Sequence, residues 1–338
     1  MGKSVALVTG AGGEMGHLLL PALQARGHEV VAVDLAALPP ESASSCLETH
    51  QASVLDVEAI RALVSHHHPE IVFHLAAVLS TKAEREPDLA YDVNLAGTAA
   101  LLRLCRDDAR ATGRSVRFLF PSSIAVYGLP DRAVKEAAGA VREEEWTNPS
   151  GLYGITKLQC EMLGTYWSRR ASRDRVPGVD FRSLRFPGLI SSETLPSGGT
   201  TDYAPEMLHA AAQGKPYVCF VRPDTRLPFM TMRDGVEAFV ALSSTAGPEM
   251  ESRVFNVRSF SASAEEIQDA VLMHYPDARI SFEPVAARQA IVDSWPQDVD
   301  DARARREWGF CPRFGLAESL REDFVPALQR RYTVRAEP

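Results

Sequence analysis

Ser4-Val5-Ala6-Leu7-Val8-Thr9-Gly10-Ala11-Gly12-Gly13-Glu14-Met15-Gly16 is the stretch from which the fold is read. Its first six residues carry an apolar run, as a parallel strand buried on both faces does. Glycines at 10, 13 and 16 then form a G-x-x-G-x-x-G turn, and residues 17–26 continue as a helix. Glycines so placed let the chain turn tightly, bring backbone amides up to a pyrophosphate, and let the helix pack close to the sheet. The positive end of the helix dipole points at the same phosphate. A second strand, 29–33, ends in Asp34, whose carboxylate is placed to accept from both adenosine ribose hydroxyls and to repel a 2'-phosphate. NAD is therefore expected over NADP, held by Gly10, Gly13, Glu14, Met15, Gly16 and Asp34. This unit opens a doubly wound parallel α/β sheet, the Rossmann arrangement.

Working outward, a Pro, Ser and Ala-rich loop (36–45) leads to a third strand at 47–51. Asp56 and Val57 follow where the adenine would lie, and Asp56 either accepts from the adenine amino group or caps the helix 57–65. His66-His67-His68 does not read as a metal site, because consecutive side chains do not face one point and Pro69 ends the helix; a solvated helix end is expected. Strand 71–75 contains His74, read as a satisfied core histidine. Leu75, Ala76 and Ala77 at its end leave room for a cofactor to pass over, and the loop beyond brings Ser80 to the substrate. Asn94 begins or lies within a long helix to about 108, where it bonds buried backbone or a water, or simply packs. Strand 116–120 ends at Pro121-Ser122-Ser123, on the edge where open parallel sheets bind ligands. Ser123 either meets a substrate oxygen or caps the strand end. Residues 130–149, with Glu143-Glu144-Glu145, read as a solvated connection.

The helix 152–169 carries Tyr153 and Lys157 at i, i+4, hence on one face. A phenol titrates near ~10. An ammonium at ~4 Å is worth about 4 kcal/mol at an effective dielectric of ~20, enough to bring it toward neutrality. Tyr153 is thus the candidate general base and Lys157 its partner. Ile155, Leu158, Met162 and Tyr166 continue a stripe along this helix. After strand 179–186 the composition changes at Pro187-Gly188-Leu189-Ile190, and the domain change is placed there. Residues 1–186 are expected to form the NAD-binding domain with the Tyr and Lys helix. Residues 187–338 are expected to form mainly a smaller α/β substrate-binding domain, with about 228–257 returning to the Rossmann core. The polar loop 196–203 opens onto a helix through about 213: small hydroxyl residues such as Thr200 and Thr201 and free amides at a helix start suit a carboxylate, or residues Thr200 to Asp202 simply cap that helix.

Composition narrows the classes. Of 338 residues 45% are hydrophobic and 24% charged, which is ordinary for a water-soluble globular chain. A net charge of -8 argues against nucleic acid and anionic membranes as partners. Five scattered cysteines suggest neither a disulfide framework nor a zinc knuckle, and a reducing cytoplasm fits. The N-terminal apolar run is too short for a signal segment, and no run reaches the ~18 residues of a membrane span.

The glycine turn, Asp34, the Ser123 strand end and Tyr153-x-x-x-Lys157 resemble the extended short-chain dehydrogenase/reductase superfamily. Within it, Leu184-Arg185-Phe186-Pro187-Gly188-Leu189-Ile190-Ser191 is similar to the Leu-Arg-Tyr-Pro-Gly-Ile-Ile-Ser segment of the short-chain type of L-threonine 3-dehydrogenases. The run 196–203 resembles that family's Pro-Gly-Gly-Gly-Thr-Thr-Asp-Tyr loop, with Ser197 in place of a glycine. The resemblance implies NAD-dependent oxidation of L-threonine at C3, giving 2-amino-3-ketobutyrate, without a metal. It implies that Ser123 and Tyr153 hold the hydroxyl and Lys157 the nicotinamide ribose. Phe186 and Leu189 would lie at the nicotinamide, and Ser80, Thr200, Thr201 and Trp295 at the amino-acid end or pocket wall. A homodimer through helices near 95–104 and 158–167 is implied too. The rival enzymes are a dehydrogenase of another small hydroxy acid and a nucleotide-sugar epimerase or dehydratase. Against the latter, epimerases carry Asn-x-Tyr-Gly-Pro where Phe186-Pro187-Gly188-Leu189 stands. The rival outside catalysis is an NAD-binding scaffold, a class that usually loses the tyrosine or lysine.

Overall fold

β1 (Val5–Thr9) feeds α1 (Glu14–Ala25) through the glycine turn, followed by β2 (Glu29–Asp34), α2 (Pro40–Ala43), β3 (Glu48–Gln51), α3 (Val57–His67) and β4 (Ile71–His74). Next come α4 (Ser80–Arg85), α5 (Pro87–Ala90), a π-helical stretch (Tyr91–Gly97) that runs into α6 (Thr98–Thr112), and β5 (Val116–Ser123). Then follow α7 (Arg132–Ala138), β6 (Ala140–Val141), α8 (Leu152–Asp174) and β7 (Val179–Phe186). The remainder is β8 (Gly188–Ile190), α9 (Tyr203–Ala212), β9 (Tyr217–Cys219), β10 (Arg226–Thr231), α10 (Met232–Ser244), β11 (Val254–Asn256), β12 (Phe260–Ser263), α11 (Ala264–His274), β13 (Ile280–Phe282), α12 (Ala286–Asp293), β14 (Asp298–Val299), α13 (Ala302–Trp308) and a final helical run from Leu316 to Thr333. The computed structural model describes residues 4–196, 198–246 and 250–333; Met1, Gly2, Lys3 and Ser197 fall outside them.

Seven strands form one parallel sheet in the order β11-β7-β5-β4-β1-β2-β3. Successive residues of a strand face opposite sides, and here both sides are apolar. Ala6 and Val8 join Leu19, Leu20 and Leu23 of α1 and Phe239 of α10. Leu7 joins Ile60 and Val64 of α3 and Leu101 and Leu102 of α6. Each buried Val, Leu, Ile or Phe side chain among them contributes about 1.5–3 kcal/mol relative to exposure. The chain order reverses between β1 and β4, and at that switch point Gly10 meets Ala76. A Cβ on Gly10, which has φ +68°, would lie 2.5 Å from the Ala76 amide nitrogen, so only glycine passes here. A crevice at the strand ends of such a switch point is where doubly wound sheets hold ligands.

A second apolar core lies around the mixed sheet β12-β10-β8, with Tyr203, Met207, Phe229, Phe260 and Trp295. α10 and β11 sit elsewhere: Val236 and Phe239 pack beside α1, and β11 lies along β7 as the edge of the seven-stranded sheet.

Several expectations need revision. Residues 130–149 are not a plain solvated connection: α7 and β6 lie there, and β6 pairs with β14. Glu143 is 6% exposed and accepts from the Asn256 amide at 3.0 Å. Ser80 begins α4 rather than lying in a loop. The stripe of α8 does not lie on one side: Met162 is 66% and Tyr166 50% exposed while Leu158 packs on the second apolar core, and Gly154, Thr156, Lys157, Cys160 and Glu161 are buried. Small and polar groups are the fully buried ones that seat this helix, with Leu158 and Leu163 packed at its flanks.

Candidate active site

The glycine turn forms a cradle. Gly13 caps α1 with no side-chain acceptor, so the helix start and its dipole face outward at the turn. Asp34, at the end of β2, accepts from the Gly12 amide at 2.9 Å and the Ala36 amide at 3.1 Å, which fixes its carboxylate beside the turn. These groups fit a dinucleotide: a phosphate at the helix start and a ribose at the carboxylate. Glu14 and Met15 lie in the first turn of α1, with Met15 packed on the core. Asp56 accepts from Ala59 at 3.1 Å as the cap of α3, and Val57 follows it. Leu75 and Ala76 line the opposite wall of the crevice, and Ala77 continues it. Phe186 turns its ring into the core against Phe239, and Leu189 lies on β8 beside Met230.

The second half of the site comes from α8 and the end of β5. A Cβ on Gly154 would sit 1.9 Å from the Ala125 carbonyl oxygen, so glycine is what lets α8 lie against the turn that follows Ser123. Ser123 accepts from the Ala125 amide at 3.1 Å, capping that turn. Lys157 donates to the Pro121 carbonyl at 2.7 Å, and its Nζ lies 4.5 Å from the Phe120 ring centre and 5.5 Å from that of Tyr153. Tyr153 and Lys157 thus share a face of α8 at the ligand edge of the sheet.

Their electrostatics differ from the simple expectation. Burial pushes the Tyr153 phenol up to about 12 and, against the opposing pull of Cys160 and Glu161, the Lys157 ammonium down to about 8. Bringing the phenol from there to neutrality needs roughly 7 kcal/mol at about 1.36 kcal/mol per unit. One ammonium 5.5 Å from the ring centre is worth about 3 kcal/mol at an effective dielectric of ~20, so in the cofactor-free protein burial outweighs it and the phenol stays protonated at neutral pH. A spectrophotometric titration of cofactor-free protein is expected to show no tyrosinate attributable to Tyr153 below about pH 10, the unperturbed value. A Tyr153→Phe variant that loses a tyrosinate signal near neutrality would contradict this.

Behind the pair runs a buried polar chain. Asn94 donates to the Val78 carbonyl at 3.0 Å, accepts from its amide at 2.7 Å, and reaches the Thr156 hydroxyl at 3.4 Å. His74 is satisfied by Thr9 at 2.7 Å and Thr98 at 2.8 Å. Burial, helped by Lys157, pushes its imidazole down to about 3, so the ring is neutral.

Ser80 and Thr200 share a hydroxyl hydrogen bond of 3.0 Å, and Thr81 donates to the Gly198 carbonyl at 2.9 Å. α4 therefore meets the polar loop, with Thr201 beside Gly188. Asp202 does not use its side chain to cap α9. Instead it accepts from the Gly198 and Gly199 amides at 2.8 and 2.6 Å, filling amides expected to be open to a carboxylate. Trp295 is buried in the second core, against which Tyr153 packs. Glu84 belongs to no motif of the sequence: it accepts from the Leu152 amide at 2.8 Å, and so caps α8 where Gly151 has no side chain to do it. Its only sequence signal is that uncapped helix start.

The model of the NAD dependent epimerase/dehydratase family matches residues 6–257. A mitochondrial L-threonine 3-dehydrogenase of Bos taurus is 32% identical over 92% of this chain and 79% of its own length. An uncharacterised epimerase/dehydratase of Staphylococcus haemolyticus is 33% identical over 96% of this chain and 98% of its own. Among solved structures, a monomeric L-threonine 3-dehydrogenase of metagenomic origin in its apo form superposes with a TM-score of 0.85 at 33% identity, covering 96% of this chain and 99% of that one. The chain belongs to the NAD-dependent epimerase/dehydratase family of extended short-chain dehydrogenase/reductases, and its relatives in sequence and in fold include L-threonine 3-dehydrogenases.

Proposed function

We propose that this chain is an NAD-dependent L-threonine 3-dehydrogenase. The observation that carries the reading is the meeting of two half-sites at one sheet edge: the glycine turn with Asp34, and Tyr153 with Lys157 bonded to the end of β5. The names of its relatives supply the substrate. When bound, NAD supplies the acceptor for the hydride leaving C3. Tyr153 takes the proton of the 3-hydroxyl, Ser123 holds the oxygen as the carbon flattens, and the Lys157 ammonium stabilises the phenolate. Ser80, Thr200 and Thr201 receive the amino-acid end, with Trp295 behind them.

The test mixes protein and NAD with L-threonine, D-threonine, L-serine, 3-hydroxybutyrate, a sugar acid and UDP-sugars, and follows NADH absorbance. Turnover with L-threonine is expected. NADH only with another hydroxy acid, or sugar epimerisation without net NADH, would displace the assignment. In the same assay Asp34→Ser is expected to raise the KM for NAD about tenfold and to narrow the preference over NADP, since about 1.4 kcal/mol separates each tenfold step. An unchanged cofactor ratio would remove Asp34 from the site.

For assembly, we propose a homodimer through the outer faces of the π-helical stretch, α6 and α8. Leu101, Leu102 and Leu104 belong to the chain's own core, so the available apolar surface is Tyr91, Met162 and Tyr166, at 53, 66 and 50% exposure. Sedimentation equilibrium is expected to give twice the 37.0 kDa chain mass; a monomer, as that metagenomic relative is described, would refute this. Among the described residues no helix is long and apolar enough to cross a membrane, and we place the protein in the cytoplasm on the reading of its five cysteines, all of them free thiols.

A further inference from the structure

His66-His67-His68, expected as one solvated helix end, is divided by the fold. His66 is exposed. His68, with φ 45°, closes α3 and sends Nδ1 to Asp108 at 2.6 Å. His67 turns inward, its side chain only 9% exposed, toward β3, the edge strand of the seven-stranded sheet. Two residues of β3 meet it there. Glu48 and His50 stand two apart in the strand and so share a face. His50 Nε2 lies 2.9 Å and His67 Nε2 3.3 Å from the same oxygen, Glu48 Oε2. The enclosed His67 Nε2 makes no hydrogen bond. Among the described residues this is the group of three whose ligand atoms all lie within 4.8 Å of one another.

Such spacing is what a tetrahedral ion asks for. Metal–nitrogen and metal–oxygen bonds of about 2.0–2.2 Å place neighbouring ligand atoms roughly 3.3–3.5 Å apart. Two of the separations above are at or just below that, and a small opening of the cluster admits an ion. Two imidazoles and a carboxylate are a ligand set suited to zinc-class ions, not to magnesium or calcium, which prefer all-oxygen shells. The backbone fixes the frame: β3 is registered on β2 through Val31 with Glu48 and Val33 with His50.

We propose that Glu48, His50 and His67 form a binding site for one divalent transition-metal ion of the zinc class, with a fourth position left to water. The ion ties the edge strand to the end of α3. It takes no part in the dehydrogenase chemistry, which belongs to residues on other elements, so this inference and the proposed function fail separately.

The test uses the full chain, stripped by chelator and dialysed, titrated with zinc chloride alone against a chromophoric chelator. One equivalent is expected to bind, to resist excess magnesium, and to raise the thermal unfolding midpoint. Glu48→Gln and His50→Ala, on the half-exposed strand, are each expected to weaken binding at least tenfold and abolish the midpoint shift, with circular dichroism unchanged. His67→Ala should do the same but removes a buried ring, so the strand variants decide. Binding of well under one equivalent at micromolar zinc overturns the site. An equivalent that survives both strand variants overturns it as well, because the ion then sits elsewhere.

Discussion

Replacing Tyr153 by phenylalanine is expected to lower kcat on the order of 10³-fold, the usual weight of a positioned acid or base, while the Kd for NAD changes little. The phenol oxygen has no hydrogen-bond partner among the described residues, so its removal orphans nothing and leaves stability near that of the parent. What disappears is the group within reach of the Lys157 charge at the strand ends. Steady-state kinetics together with NAD binding by fluorescence checks this. Full turnover in the phenylalanine variant would end the proposal for Tyr153, whichever metabolite is the substrate. Lys157→Met should behave differently, because Lys157 is buried and bonded to Pro121. It is expected to damage catalysis and the local geometry together, and is the poorer probe.

The largest loss of stability is expected one turn further along the same helix. Arg185 on β7 makes a two-pronged pair with Glu161, at 2.9 and 2.6 Å, and its third nitrogen, Nη1, donates to the Glu143 carbonyl at 2.6 Å and the Tyr127 hydroxyl at 3.0 Å. Tyr127 donates in turn to Asn256 at 2.7 Å. Arg185 and Glu161 are 4% and 3% exposed. Burial works against the guanidinium charge, but the Glu161 carboxylate outweighs it, so the proton is held more tightly than usual. Such a pair adds little net stability over apolar residues of equal volume, yet breaking it strands a charge. Glu161→Leu is therefore expected to cost about 3–5 kcal/mol, read as a large fall in the urea midpoint. Combining it with Arg185→Leu should recover much of that loss. A single variant as stable as the parent would mean that water reaches Arg185 after all.

What could be read in advance was what acts locally. Gly10 to Gly16 and Asp34 signal a dinucleotide turn because strand, turn and helix are adjacent in the chain, and Tyr153 with Lys157 needs only helical spacing. Most of the losses are non-local. Met162 and Tyr166 read only as part of a helical stripe, with no inner or outer side assigned, until α8 is found resting on Gly154, Thr156 and Gly164. Glu143 looks solvated beside Glu144 and Glu145 until β11 brings the Asn256 amide to it. Asp202 looks like a helix cap but folds back on two glycine amides, and Glu84 serves a helix that begins far along the chain. For Glu143, Asp202 and Glu84 the deciding partner is a backbone amide, which carries no side-chain signature.

The π-helical stretch at Tyr91–Gly97 has a consequence of its own. Its wider turns loosen the regular ladder, and the Asn94 carbonyl accepts from Thr98 Oγ1 at 2.6 Å and Cys160 Sγ at 3.1 Å. One residue more per turn than an α-helix rotates everything before it relative to everything after by about a quarter turn or slightly more. Deleting a single residue here would restore a regular helix and swing the Asn94 amide off Val78, whereas a deletion at the far end of α6 would disturb only a helix terminus. Segment length at this spot thus acts as an angular setting, and natural length variation among relatives should avoid it.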